Sequence, residues 1–228
     1  MCMERIVTKI FKRYNTGSHP LSRQEIRHAV YRSAVNDWLN QQIETYYNSV
    51  STYKYIYNMT KKRFSDKTAH ENIQTMLYIL EIGLESKYET SPEYAEEFMK
   101  KNTITINQES RIEKLSILLD KVNNFYEKIY WEYGIKYPFS EEIYGVESRN
   151  YKVQIPILMI IADFLRKLIE RDVDLTKTVN TGVILKVISD VMKDSYLENN
   201  FKGSSTRPEL LIETSNNLFE KLAKGDLV

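Results

Sequence analysis

The chain has 228 residues, of which 42% are hydrophobic and 28% charged, and this composition is typical of a globular protein with a substantial core. Its net charge of +1 excludes an overall electrostatic field that would steer the whole molecule to nucleic acid or to a membrane. The single cysteine, Cys2, excludes an internal disulfide and is typical of a reducing compartment. We therefore predict a cytoplasmic or virion protein that is not secreted.

Apolar residues recur at helical spacing along most of the chain, and its few glycines and prolines indicate long regular elements. Ser22 and Glu25 form a capping-box sequence that begins the second helix. Residues 53–59 fit either a strand or a helix, and we favour a helix because no partner strand follows nearby. The predicted helices cover residues 3–14, 22–38 with an extension toward 47, 53–59, 66–87, 91–102, 110–133, 156–169, 183–197 and 208–224.

The most apolar run of the chain begins at Pro156, which suits the first position of a helix. Residues 157–162 carry no polar side chain, so every face of those turns requires burial. Asp163 then opens a polar stripe, and we expect it to face solvent and to pair with Lys167 one turn later. The run is too short for a membrane span. We predict an all-α fold, with residues 1–228 forming a single multi-helix, bundle-like domain packed around this buried helix near 156–170.

Two further segments suggest a function. Residues 134–155 form a long, tyrosine-rich connection, and residues 207–224 form a C-terminal helix on a flexible joint that could dock on its own domain or on a neighbour. Aromatic side chains often dominate the energy of protein interfaces. We therefore predict a non-enzymatic helical assembly or adaptor protein, a homo-oligomer or the binder of a protein partner, such as a connector-type component of a virus, phage or mobile element. The predicted interface residues are Tyr137, Tyr144, Tyr151, Leu218 and Phe219.

An enzymatic alternative rests on Arg23 and His28. Their spacing, Arg-x4-His, resembles the signature of HEPN-type ribonucleases. The resemblance implies an arginine that holds the scissile phosphate and a histidine that transfers a proton, as in a ribonuclease or toxin that works as a dimer. The competing interpretation is a basic helix face with a surface histidine.

A second alternative is nucleic-acid binding by the basic N-terminal helices, residues 5–32, which carry an excess of positive charge. Its candidate residues are Lys9, Lys12, Arg13 and Arg27. The competing interpretation is a charged face that complements the acidic residues 81–97 of the same or another subunit. No histidine or cysteine spacing indicates a metal site, and no motif indicates a cofactor.

Overall fold

The computed structural model describes residues 23–147, 152–198 and 203–224. Within these ranges the chain forms ten α-helices, one short 3-10 helix and no β-strand, which confirms the predicted all-α class. In chain order the helices are α1 (Arg23–Val30), α2 (Ala34–Asn48), α3 (Tyr53–Ile56), α4 (Lys61–Ser65), α5 (Thr68–Ile82), α6 (Ser91–Ile104), α7 (Gln108–Tyr133), the 3-10 helix (Glu141–Tyr144), α8 (Ile155–Glu170), α9 (Thr178–Lys193) and α10 (Pro208–Ala223).

Local sequence signals explain the ends of the longer helices. The Thr90 and Glu93 side chains form a capping box at the start of α6. The Asn107 side chain accepts a hydrogen bond from the Ser110 amide and so caps α7. Gly134 ends α7 with a φ of 72°, a left-handed conformation that glycine adopts without strain. The bounds of α6 and α7 lie within two residues of the predicted ones.

The helix α8 occupies the centre of the molecule, as predicted. It begins with a proline in its first turn, and every side chain from Pro156 to Leu165 is buried. It packs against α5 on one side and α10 on another. The buried apolar side chains of all these helices belong to one hydrophobic core. A stretch with no polar face therefore forms the helix that the other helices surround.

Several local predictions need correction. The helix predicted for 22–38 is interrupted, because α1 ends at Val30 and α2 begins at Ala34 after the Ser33 cap. The helix predicted for 183–197 covers Thr178–Lys193. Asp163 does not face solvent, because only 3% of its surface is exposed once α10 has packed over it. The helix predicted for 66–87 ends at Ile82, because the chain turns away at Gly83 with a φ of 95°. Residues 53–59 are helical rather than extended, but α3 covers only the four residues Tyr53–Ile56.

The two segments predicted to be functional both contribute to the core. The connection contains the 3-10 helix, and its Phe139, Ile143 and Tyr144 are buried. The helix α10 packs on α8 and α9 of the same chain. Among the residues described, no helix combines the length and apolar character needed to cross a membrane.

Candidate interaction surface

Four aromatic residues from three separate parts of the chain meet at the surface. Tyr55 lies on α3, Tyr130 and Trp131 lie near the end of α7, and Tyr137 follows in the connection. The Tyr55 ring centroid is 6.3 Å from that of Tyr130 and 6.4 Å from that of Tyr137. The Tyr130 and Trp131 centroids are 5.0 Å apart at 74°. We call these four residues the aromatic surface.

The local fold explains why this aromatic surface is exposed. Ile129 of α7 is fully buried, and a residue two positions later lies about 200° around the helix. Trp131 therefore points away from the core, and 72% of its surface is exposed, compared with 48% for Tyr55. Gly134 then ends the helix and turns the chain so that Tyr137 lies beside Tyr55. An exposed tryptophan among tyrosines is typical of a binding surface.

The aromatic surface continues along the solvent-facing side of α7. Ile117 is 54% exposed there, two heptads before Trp131. A groove of about 300 Å³ borders this side and is lined by Lys121, Asn124 and residues of 169–176. We call this side the outer face of α7. Its residues are Glu113, Ile117, Asp120, Lys121, Asn124, Glu127, Lys128 and Trp131.

The predicted interface residues occupy different environments. Tyr137 belongs to the aromatic surface, and Tyr151 lies outside the described residues. Tyr144 is buried, and its hydroxyl donates to Glu198 at 2.7 Å. Leu218 is fully buried between α10 and the core, whereas Phe219 is half-buried beneath the Arg171 guanidinium. The prediction for Tyr144 and Leu218 is therefore corrected, because both side chains fill the chain's own core.

The sequence prediction missed Trp131, although a signal for it was present. The apolar seam of α7 runs through Tyr126, Ile129 and Tyr133, and a helix with that seam directs position 131 to the opposite side. An aromatic residue at that position has no place in the core. Tyr55 gave no comparable signal, because its position depends on how α3 packs against α7.

Arg23 and His28 lie in different surroundings on α1. Arg23 is exposed at the first position of the helix. The His28 ring faces the buried ring of His70, with centroids 5.3 Å apart at 87°. Burial, together with the positive charges of Lys67 and Arg27, lowers the pKa of His28 to about 4. His28 is therefore neutral at pH 7, and its ring packs against α5 rather than lying on a basic surface.

The basic N-terminal region is only partly described. Lys9, Lys12 and Arg13 lie outside the described residues. Arg27 contacts two acidic side chains of its own chain, Glu71 at 2.9 Å and Glu96 at 3.4 Å. Its contact with Glu96 fits the interpretation that this face complements the acidic residues 81–97. Most of its side chain is shielded from solvent, so its charge serves the packing of α1 on α5 and α6.

A buried ionic cluster joins α10 to α8. The Asp163 carboxylate accepts hydrogen bonds from the Leu84 amide at 3.2 Å, Arg166 at 3.0 Å and the Ser215 hydroxyl at 2.6 Å. Lys167 forms an ion pair with the same carboxylate at 2.9 Å, as predicted. Burial alone would raise the pKa of Asp163, but the hydrogen bonds from Lys167 and Ser215 and the nearby positive charges lower it below its ordinary value.

This cluster is suited to holding helices together rather than to catalysis. Lys167 also donates to Ser215 at 2.8 Å and to Asn216 at 2.7 Å, so an ammonium group and a carboxylate hold the serine hydroxyl between them. An ammonium group that serves three acceptors cannot take a proton from serine. In the part of the chain that the structure describes, no three histidine, cysteine, aspartate or glutamate side chains are placed to hold a metal ion.

Comparisons with known proteins assign this chain to no family. The chain matches no family model, no curated protein and no solved structure. The assembly or adaptor role, and the connector-type role in a virus, phage or mobile element, stay predictions.

Proposed function

We propose that the protein is a non-enzymatic helical assembly protein that associates with further copies of itself through the aromatic surface and the outer face of α7. The observation that carries the proposal is the exposure of Trp131, at 72%, among three tyrosines. Tryptophan and tyrosine are the residues most enriched among those that dominate binding energy. Burial of these aromatic side chains in an interface would be favourable, because it would remove their apolar surface from water.

The charges beside the aromatic surface support a second copy as the occupant. The outer face of α7 carries acidic and basic side chains side by side, with Asp120 next to Lys121 and Glu127 next to Lys128. A surface with both signs can complement a copy of itself, as the symmetric interfaces of homo-oligomers require. A surface of one sign would instead repel its own copy and favour a partner of opposite charge.

The test is the concentration dependence of the molar mass. We expect light scattering after size exclusion to give a rising mass between about 1 µM and about 100 µM, as for an association of micromolar strength. Trp131→Ala should weaken the association at least about tenfold, because it removes a central aromatic group from the contact.

The matched control is Ile106→Ala. Ile106 is fully exposed between α6 and α7, outside the aromatic surface, so the same kind of truncation should leave the association unchanged. Circular dichroism of both variants establishes that the helices are intact. A wild-type chain that stays a monomer up to about 100 µM would overturn the proposed function.

A further inference from the structure

The segment from α3 to the start of α5 carries an excess of positive charge. Residues 53–67 contain five cationic side chains and one acidic side chain, Asp66, so their net charge is +4. The whole chain has a net charge of only +1, so its remaining residues together are negative. We call residues 53–67 the basic segment. Its cationic residues are Lys54, Lys61, Lys62, Arg63 and Lys67.

The fold does not neutralise these charges. In the part of the chain that the structure describes, none of the five cations forms an ion pair. Lysines elsewhere do so, as Lys87 does with Glu85 at 2.8 Å. The Asp66 carboxylate accepts a hydrogen bond from the Thr68 amide at 3.0 Å, in the first turn of α5. Like charges held close together repel one another, and an anionic ligand would relieve this repulsion.

Aromatic rings hold two of the lysines in place. The Tyr47 ring of α2 and the Phe64 ring of α4 are stacked, with centroids 4.1 Å apart at 6°. The Lys54 ammonium lies 4.8 Å from the centre of the Tyr47 ring, and the Lys67 ammonium lies 5.4 Å from that of Phe64. Lys67 also lies 3.2 Å from Nε2 of the buried His70. Cation–π contacts therefore restrain both ammonium groups, and the three distances place them at most about 14 Å apart.

Arg63 of α4 has an unused hydrogen-bond donor. Its Nη1 is buried and has no hydrogen-bond partner among the described residues. Burial lowers the pKa of Arg63 below its ordinary value, although the charge of Asp66 opposes this shift. By turning toward solvent, the guanidinium would bring this nitrogen to an anionic oxygen at the surface. Arginine contacts phosphate and carboxylate groups through two parallel hydrogen bonds.

We propose that the basic segment binds the phosphate backbone of a nucleic acid. Its lysines contact phosphates as point charges, and Arg63 adds a contact through two nitrogens. The phosphates of one helical strand recur about every 3.4 Å along the axis, so the distance between Lys54 and Lys67 corresponds to about four of them. Contacts with the backbone contain no sequence information, so the binding is independent of sequence.

The arrangement of the cations favours a nucleic acid over other polyanions. Lys61, Lys62 and Arg63 are consecutive on α4, so their side chains point about 100° apart around the helix. A flat lipid surface would contact only some of them, whereas a nucleic-acid strand can bend around the helix. An acidic protein would need an apolar centre in the contact. The two large rings here, Tyr47 and Phe64, are already stacked on each other.

This site differs from the basic N-terminal region and goes beyond the proposed function. In the described part of that region, Arg27 is paired with Glu71 and Glu96 of its own chain. The basic segment is adjacent to the aromatic surface, because Lys54 precedes Tyr55 on α3. None of its five cations belongs to the aromatic surface, so the binding of a nucleic acid requires no second copy of the chain.

The test is fluorescence anisotropy with the full chain and a labelled single-stranded RNA of about 30 nucleotides, long enough to cover the segment. The logarithm of the binding constant should fall with the logarithm of the salt concentration with a slope of about −3.5, as for five phosphate contacts. Lys61→Ala/Lys62→Ala removes two exposed cations. This variant should bind at least about tenfold more weakly at about 50 mM salt, with a slope smaller by about 1.4.

The matched control is Lys114→Ala/Lys186→Ala, which removes the same charge from two exposed positions on α7 and α9. It should bind within about twofold of the wild type, because these lysines lie outside the basic segment. A second measurement needs no variant. Acetylation of lysines in the wild type, followed by mass spectrometry, should be slowed by the RNA at Lys54, Lys61, Lys62 and Lys67 and be unchanged at Lys114 and Lys186.

The outcomes are distinguishable from those of the proposed function. A wild-type monomer that binds RNA through these lysines supports this inference even if self-association fails. No binding at about 100 µM protein and about 50 mM salt would overturn it. Equal weakening in the two double variants would also overturn it, because the binding would then follow net charge alone. Tighter binding to phosphatidylserine vesicles or to polyglutamate than to RNA would assign the segment to a membrane or an acidic protein instead.

Discussion

Removal of the Asp163 carboxylate should reveal how strongly α10 is held to the centre of the molecule. In the wild type this buried group accepts from the Leu84 amide, Arg166, Lys167 and Ser215. Asp163→Ala leaves the two cations without their shared counter-ion and leaves the amide and the hydroxyl without an acceptor. Breaking a buried ion pair by removing one partner costs about 3–5 kcal/mol.

The alternative contacts of the two cations place the expected cost at the lower end of that range. Arg166 also donates to Glu170 at 2.7 Å, and Lys167 donates to Asn216 at 2.7 Å, so both retain an acceptor in the variant. We therefore expect Asp163→Ala to lower the free energy of unfolding by about 3 kcal/mol. Ser215→Ala removes one strong hydrogen bond and should lower it by about 1–2 kcal/mol.

Urea denaturation followed by circular dichroism measures these losses. A loss of about 3 kcal/mol lowers the urea midpoint by about 1 M for a protein of this size. The pH dependence gives an independent check, since the pKa of Asp163 lies below its ordinary value of 3.8. The contribution of the ionised carboxylate to the free energy of unfolding is complete above pH 3.8 and is lost as the pH falls through the lower pKa of the folded state. The stability difference between the wild type and Asp163→Asn should therefore shrink at acidic pH.

Two results would refute this reasoning. One is an Asp163→Ala variant within about 1 kcal/mol of the wild type, because an uncompensated buried charge cannot be that inexpensive. The other is a difference between the wild type and Asp163→Asn that grows as the pH falls, since a lowered carboxyl pKa requires the opposite sign.

Two further predictions concern other parts of the chain. Gly83→Ala should lower the free energy of unfolding, measured by urea denaturation, by about 2–3 kcal/mol, because the added Cβ would lie 3.0 Å from Arg166 on a backbone with φ 95°. Gly134→Ala is the matched control: its backbone has φ 72° but open space surrounds it, so the free energy of unfolding should fall by only about 1 kcal/mol. The pKa of His28 is about 4 in the folded chain, compared with its ordinary value of 6.5, so the contribution of the neutral ring to the free energy of unfolding is complete above pH 6.5 and is lost as the pH falls toward 4. Between pH 6.5 and about 4.5, the free energy of unfolding of the wild type should fall by about 2 kcal/mol more than that of His28→Asn. Equal losses in the two proteins would contradict this prediction.

The longest helices were predictable because their signals are local. The seam and the glycine end of α7 belong to one continuous segment, and the proline and apolar run of α8 belong to another. Neighbouring residues alone determine these features, and the structure confirms them. The same seam assigns Trp131 to the outside, so this part of the candidate surface was also accessible from the sequence.

The remaining features depend on segments that are distant in the chain. Asp163 was expected in solvent, and only the arrival of Ser215, fifty-two residues later, shows that α10 covers it. One interpretation of the sequence placed His28 on a basic face, yet its ring packs against His70 of α5. No periodicity within one helix contains information about which other helix covers it, so burial of single polar residues could not be predicted.

The position of Trp131 also gives the protein an optical reporter of its own. The sequence contains only two tryptophans, and the other, Trp38, is half-buried on α2. In a Trp38→Phe variant the tryptophan fluorescence would come from Trp131 alone, in contact with water in the free chain. Its emission wavelength and its quenching by iodide would then follow the occupancy of this surface directly, without a dye or a label.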